Sequence, residues 1–134
     1  MSLGFLFGAV YALAAAVMLW SLTQLNRFLA ETRDIGDEGS LQRFKVLARM
    51  QMYLALCGMV LLAVGMLVGI VLIARHGLLG LLAVILTNVF ILGLGVYHKR
   101  VEERARSLRA GSEVLAKEYR RISETWVKKA LPDF

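Results

Sequence analysis

Two long apolar runs dominate the pattern of hydrophobic and polar positions. They extend from Met52 to Ala74 and from Gly77 to Tyr97, contain no charged residue and are separated only by Arg75 and His76. Each exceeds the roughly 18 residues that a helix rising about 1.5 Å per residue needs to cross a hydrocarbon core of about 30 Å. A soluble helix of this length would show a polar face. The pattern therefore predicts two transmembrane helices joined by a tight hairpin.

A third apolar run, from Leu3 to Leu25, precedes this hairpin. No lysine or arginine stands before it and it is longer than the apolar region of a usual signal peptide, so we expect a first transmembrane helix over about 3–25. Small residues recur along it at every fourth position, and such a stripe allows a neighbouring helix to approach closely. We expect that neighbour first of all within the same protein. The stripe consists of Gly4, Gly8, Ala12 and Ala16.

The connection over 26–45 is polar and charged, and Ser40 is the expected N-cap of the second helix. That helix would start in water and continue into a transmembrane part over about 46–74. One of its faces carries mostly small residues, with Gln51 able to hydrogen-bond to a neighbouring helix. The predicted packing positions on this face are Ala55, Gly58, Gly65 and Gly69. The third transmembrane helix is expected over 77–98, with the amide of Asn88 paired to another helix near the middle of the membrane.

Lysine and arginine are distributed unevenly between the connecting segments. The first connection and the start of helix two carry five, the residues from Lys99 onward carry ten, the tight hairpin carries Arg75 alone and the N-terminus carries none. With three spans, both basic segments fall on one side, which the positive-inside rule makes cytoplasmic. We expect an N-out, C-in topology in a bacterial inner membrane, with a transmembrane domain over 1–98 and a cytoplasmic tail over 99–134.

The tail repeats apolar positions at alternating spacings of four and three, which predicts an amphipathic helix. The same register continues backward into the run from Gly77 to Tyr97, so we expect the tail to continue from the third transmembrane helix as one rod, with Gly111 as the point where it would break. Three interpretations of the apolar stripe stay open: a homodimeric coiled coil, a helix lying on anionic lipid headgroups, or packing against helices one and two or another protein. The predicted partner or lipid contacts are Leu108, Leu115, Tyr119, Ile122 and Trp126.

Residues for catalysis or for binding a cofactor do not cluster in the sequence. The two histidines, His76 and His98, stand at opposite ends of helix three, about 33 Å apart at 1.5 Å per residue, so they cannot share a metal. The single cysteine, Cys57, lies in an apolar run, where we expect a small buried hydrophobic residue. The net charge of +6 fits a basic cytoplasmic side better than a nucleic-acid surface, since acids are interleaved with the basic residues of the tail. We expect no enzyme, no metal, no cofactor and no nucleic-acid partner.

The sequence thus predicts an all-α integral membrane protein without catalytic chemistry. The function it favours is that of a small subunit that scaffolds, assembles or stabilises a larger membrane complex, with other membrane subunits as partners and anionic lipid at the cytoplasmic face. The alternative is a homo-oligomeric channel or energy-transducing pore in which Thr87 and Asn88 line a polar path. A third hypothesis is a membrane-tethered regulator whose tail senses lipid.

Overall fold

The computed structural model describes residues 2–134 and contains four helices in this part of the chain. They are α1 (Leu3–Glu31), α2 (Glu38–His76), α3 (Leu78–Ala105) and α4 (Glu113–Lys128). The first three are long and apolar enough to cross a membrane. The predicted all-α class with three candidate membrane spans is confirmed, and these spans indicate an integral membrane protein.

Helix α2 is the longest element and contacts each of the other three helices. Its 39 residues correspond to about 58 Å at 1.5 Å per residue, roughly twice the hydrocarbon thickness of a membrane. It begins earlier than expected, because Asp37 and not Ser40 is the N-cap. The Asp37 carboxylate accepts hydrogen bonds from the hydroxyl of Ser40 at 2.5 Å and from its backbone N–H at 2.7 Å. These bonds lower the pKa of Asp37.

The connection between α2 and α3 is a single residue, Gly77, whose φ of 60° suits a residue without a Cβ. Three residues later, Gly80 lies directly against α2. A Cβ at this position would be 2.6 Å from the carbonyl oxygen of Leu72 and 3.0 Å from the Cα of Ile73. The two helices therefore start from this hairpin in backbone contact.

Inside the part of the molecule formed by the three long helices, α1 presents large residues to small ones on α2. The ring of Tyr11 lies against Gly65, and the ring of Phe7 lies against Gly69. Tyr11 also donates a hydrogen bond of 3.3 Å to the side-chain oxygen of Asn88 on α3. Packing against α2 and α3 leaves Phe7 and Tyr11 almost completely buried.

The tail does not continue from α3 as one rod, and this prediction is wrong. Helix α3 ends at Ala105, and the next helix begins only at Glu113. Between them, Ile35 donates a backbone hydrogen bond of 2.6 Å to Arg109 and accepts one of 2.8 Å from Gly111. The break lies here because the backbone of residues 109–111 pairs with the connection between α1 and α2. Gly111 lies within this paired segment, where a Cβ would be 3.2 Å from the backbone of Gly36.

The turn at this break folds α4 back against α2. We call the resulting unit, built from residues 22–52 and 101–134, the head. Its centre is Phe44, which is fully buried and whose ring centroid lies 4.5 Å from that of Tyr119 and 5.9 Å from those of Phe28 and Trp126. Around it pack the buried residues Leu22, Leu25, Ile35, Leu47, Ala48, Met52, Val101, Ala105 and Ile122. The head thus has its own hydrophobic core.

One side chain of α4 also completes the end of α3. The hydroxyl of Tyr119 donates a hydrogen bond of 2.5 Å to the carbonyl oxygen of Ala105 and accepts one of 3.0 Å from the backbone N–H of Leu108. Burial raises the pKa of Tyr119 to about 12, so the phenol keeps its proton at neutral pH. The end of α3 leaves the Ala105 carbonyl without a partner inside the helix, and the Tyr119 hydroxyl of α4 supplies the missing hydrogen bond.

Replacing Gly80 by alanine tests the close approach of α2 and α3. The added methyl group would meet backbone atoms, which cannot rotate away, so we expect Gly80→Ala to lower the free energy of unfolding by about 1–3 kcal/mol. The matched control is Gly93→Ala on the same helix, where a Cβ has no neighbour within 4 Å. Denaturant unfolding in detergent micelles measures both, and equal stability of the two variants would contradict the contact.

Replacing Tyr119 by phenylalanine tests the attachment of α4 to the end of α3. The change leaves the Ala105 carbonyl and the Leu108 N–H without their partner, and we expect it to cost about 1–3 kcal/mol of unfolding free energy. Tyr53→Phe is the control, because Tyr53 is 54% exposed. Proteolysis of the tail under native conditions supplies a second measurement, with faster cleavage expected only for Tyr119→Phe.

Candidate functional site

A cluster of polar side chains joins the three long helices where they enter the head. Ser21 of α1, Gln51 of α2 and His98 of α3 meet there. Ser21 Oγ contacts His98 Nε2 at 2.6 Å and donates a hydrogen bond to Gln51 Oε1, and His98 Nε2 lies 3.2 Å from that same amide oxygen. Ser21 and Gln51 are buried, at 4% and 2% exposure. Each helix thus contributes one member to a single hydrogen-bonded node.

The orientation of the Gln51 amide determines how the protons are arranged. Its Nε2 donates a hydrogen bond of 3.0 Å to the backbone carbonyl of Ser21, which leaves Oε1 to face the other two side chains. A carbonyl oxygen only accepts, so the Ser21 hydroxyl donates to it. All bonds are then satisfied when His98 carries a proton on Nε2 and donates to Ser21 Oγ. His98 Nδ1 is left free for the other side of the ring.

On that side of the ring, a row of polar and charged groups continues along α3 into the head. His98 Nδ1 lies 3.7 Å from a carboxylate oxygen of Glu102, whose other oxygen lies 3.6 Å from Arg106 Nε. The guanidinium of Arg106 in turn lies over the ring of Trp126 on α4, 5.9 Å from its centroid. The polar node of the membrane helices is therefore linked to the core of the head.

Two cavities adjoin both His98 and Glu102. One, of about 400 Å³, lies between α2 and α3 below the C-terminal end of α4, and its lining includes Met52, Ala55, Lys99 and Lys129. The other, of about 230 Å³, is formed mainly by apolar side chains of α1 and α2. Ala55, Met59, His98 and Glu102 line both. This arrangement is suited to binding a ligand, because it forms an apolar crevice with hydrogen-bonding and charged groups at one end.

The small-residue stripe of α1 faces away from the rest of the chain. A Cβ at Gly4 or Gly8 would have no neighbour within 4 Å, and Ala12 and Ala16 are exposed. The expectation that this stripe contacts another helix of the same protein is therefore wrong. The inward face of α1 carries Phe7, Val10, Tyr11 and Ala14 instead.

The small residues predicted for helix packing on α2 divide into two groups. Gly65 and Gly69 are buried against α1, with a Cβ at Gly65 lying only 2.7 Å from the Tyr11 ring. Ala55 and Gly58 line the cavities and are not packed against a helix. On α3, Asn88 donates to the Val84 carbonyl of its own helix at 2.8 Å besides accepting from Tyr11.

The tail stripe packs within the chain. Tyr119, Ile122 and Trp126 are buried against the core of the head. Leu108 and Leu115 are half-buried at its edge, where their contact with a partner or with lipid stays a prediction. Cys57 differs from expectation, since its side chain is exposed and not buried within the chain.

Sequence reasoning did not identify Ser21, His98 or Glu102 as members of one site. The sequence feature that could have identified them is their position near the ends of apolar runs. Polar residues near the corresponding ends of neighbouring membrane helices lie at a similar depth and can contact one another. Gly80 was also missed, although it lies one helical turn from the hairpin glycine. Within residues 2–134, no group of three histidine, cysteine, aspartate or glutamate side chains could hold a metal ion.

Comparison with known proteins identified no relative: no family model, no curated protein and no solved structure matches this chain. The function of the protein is therefore inferred from the geometry of the chain itself.

A double-mutant cycle tests the node. We expect Ser21→Ala and Gln51→Leu each to destabilise the protein and to show a coupling of about 1 kcal/mol, because both remove the hydrogen bond from Ser21 Oγ to Gln51 Oε1. Thr23→Ala is the matched partner for a control cycle with Gln51→Leu, since Thr23 is exposed and bonds only to the Leu19 carbonyl of its own helix. Unfolding in micelles measures both cycles. Additive effects in the first cycle would contradict the node.

Proposed function

We propose that this protein is a small, non-enzymatic integral membrane subunit that scaffolds, assembles or stabilises a larger membrane complex. In this proposal the membrane helices pack against helices of other subunits, and the head positions the protein on one side of the membrane. The observation that carries it is the outward-facing stripe of α1, formed by Gly4, Gly8, Ala12 and Ala16.

Small residues are useful in a membrane where two helices pack closely, because there is no hydrophobic driving force and contact must come from van der Waals packing. Helix α1 does not use its stripe for contacts within the chain. It packs inward through Phe7 and Tyr11, and the small partners in those contacts are Gly65 and Gly69 of α2. A second helix contacting α1 from outside is the arrangement that the outer stripe supports.

The low burial of the three long helices supports the same proposal. In their most apolar 18-residue stretches, only 22%, 17% and 11% of the residues of α1, α2 and α3 are buried. Most of their surface is available to lipid or to neighbouring helices. The head, in contrast, has a closed core and could present a defined surface to a partner.

The proposed orientation follows from charge. Both basic segments lie in the head or, for Lys99 and Arg100, directly beside it, so they are together on one side of the three helices. Placing the head in the cytoplasm, with the N-terminus outside, satisfies the positive-inside rule. We propose a bacterial inner membrane as the location.

The geometry gives less support to a homo-oligomeric pore. Thr87 donates to the Ala83 carbonyl at 2.7 Å, and the amide of Asn88 is bonded to Tyr11 and Val84. Both residues are half-buried within the chain. Their polar groups are already satisfied, so they are poorly placed to line a path between copies.

Enlarging the stripe of α1 tests the proposal. A leucine at Gly8 would keep α1 helical but hold a neighbouring helix away, so Gly8→Leu should shift the gently solubilised protein from a larger assembly to the isolated subunit. Gly93→Leu on α3 is the matched control, as this glycine is also exposed and without neighbours within 4 Å. Native mass spectrometry at native expression level measures both. A wild-type protein that migrates as a monomer with nothing co-purifying would overturn the proposal.

A further inference from the structure

The larger of the two cavities has apolar side chains on one part of its lining and charged side chains on another. We call it the α2–α3 crevice. It lies where α2 and α3 separate on entering the head, and the C-terminal part of α4 covers its upper end. Met52, Ala55 and Met59 form its apolar wall on α2, and Gly95 faces them from α3.

Its upper end carries more positive than negative charge. Lys99, Arg106 and Lys129 line it together with a single carboxylate, that of Glu102. Arg106 is paired with Glu102, and Lys129 is paired with Asp133 at 2.5 Å. Lys99 is exposed and makes no ion pair within residues 2–134. An anion of matching size would therefore find one unpaired cation and two more beside it.

The position of Lys99 along the chain suits contact with a lipid phosphate. Lys99 follows the end of the apolar run from Gly77 to Tyr97 by two residues, which places it next to the expected membrane surface. The apolar wall continues from the charges towards the membrane. A molecule that fills both parts must have an anionic head and an apolar chain.

We propose that the α2–α3 crevice binds one anionic phospholipid from the leaflet on the head side. Lys99 and Arg106 contact its phosphate, with Lys129 at the rim, and an acyl chain lies along Met52, Ala55 and Met59. Arg106 is already held between Glu102 and the ring of Trp126. The site differs from the tail stripe considered for lipid contact from the sequence, since Tyr119, Ile122 and Trp126 are buried in the head.

Titration of the purified full-length protein with phosphatidylglycerol and, separately, phosphatidylcholine tests this site by native mass spectrometry. Wild type should bind one phosphatidylglycerol at least about tenfold more tightly than phosphatidylcholine. Lys99→Gln should weaken the anionic lipid roughly fivefold, and Lys99→Gln with Arg106→Gln about 30-fold, with phosphatidylcholine unchanged. The control pair is Arg104→Gln with Lys117→Gln, two exposed cations outside the crevice.

A second pair of variants tests the apolar part. Ala55→Trp fills the crevice from an exposed position and should abolish binding of either lipid, whereas Ala63→Trp, exposed on the same helix but outside the crevice, should leave it unchanged. Equal affinity for the two lipids, or unchanged affinity in Lys99→Gln, would overturn the proposal. So would displacement of phosphatidylglycerol by millimolar inorganic phosphate, since the occupant would then be a soluble anion. None of these three results depends on whether a larger complex forms.

Discussion

The structure depends on the packing around Phe44, because α2 leaves the membrane with an apolar face that water would otherwise contact. Phe44 is fully buried between Phe28 of α1 and Tyr119 and Trp126 of α4. Burying a side chain of this size contributes about 1.5–3 kcal/mol, and the surrounding aromatic pairs add to it. A helix that projects alone into water has no such partner. The extension of α2 therefore requires the end of α1 and a returning α4, and these three elements make the head.

Below the head the physical problem is the opposite one, since lipid covers apolar residues well and polar groups poorly. The chain places its polar side chains in two internal contacts. Tyr11 bonds to Asn88 among the apolar residues, and Ser21, Gln51 and His98 bond to one another at the entrance to the head. Because a hydrogen bond demands a defined distance and direction, these contacts fix the relative rotation of helices whose apolar faces alone would allow several.

Much of the fold could be predicted from the sequence, because helices in lipid must be long and apolar and this signal is strong. The three candidate spans and the tight hairpin at Gly77 follow from it. The site could not be predicted in the same way. A period of three and four residues continues from α3 into the tail, but it does not show that Ile35 pairs with the backbone at Arg109 and Gly111 and interrupts the helix. That pairing joins residues more than 70 positions apart, and no local pattern encodes it.

The interruption of α3 is also what creates the crevice. As one rod, α3 and the tail would carry Trp126 and Lys129 about 30 Å or more beyond Arg106 at 1.5 Å per residue, and nothing would cover the gap between α2 and α3. Turning the chain at residues 106–112 brings both residues back beside Lys99 and Arg106. The same turn brings Tyr119 to the end of α3, so the hydrogen bonds that hold α4 in place also hold the charged end of the crevice together. The stability of the head and the shape of the candidate lipid site therefore have a common structural origin.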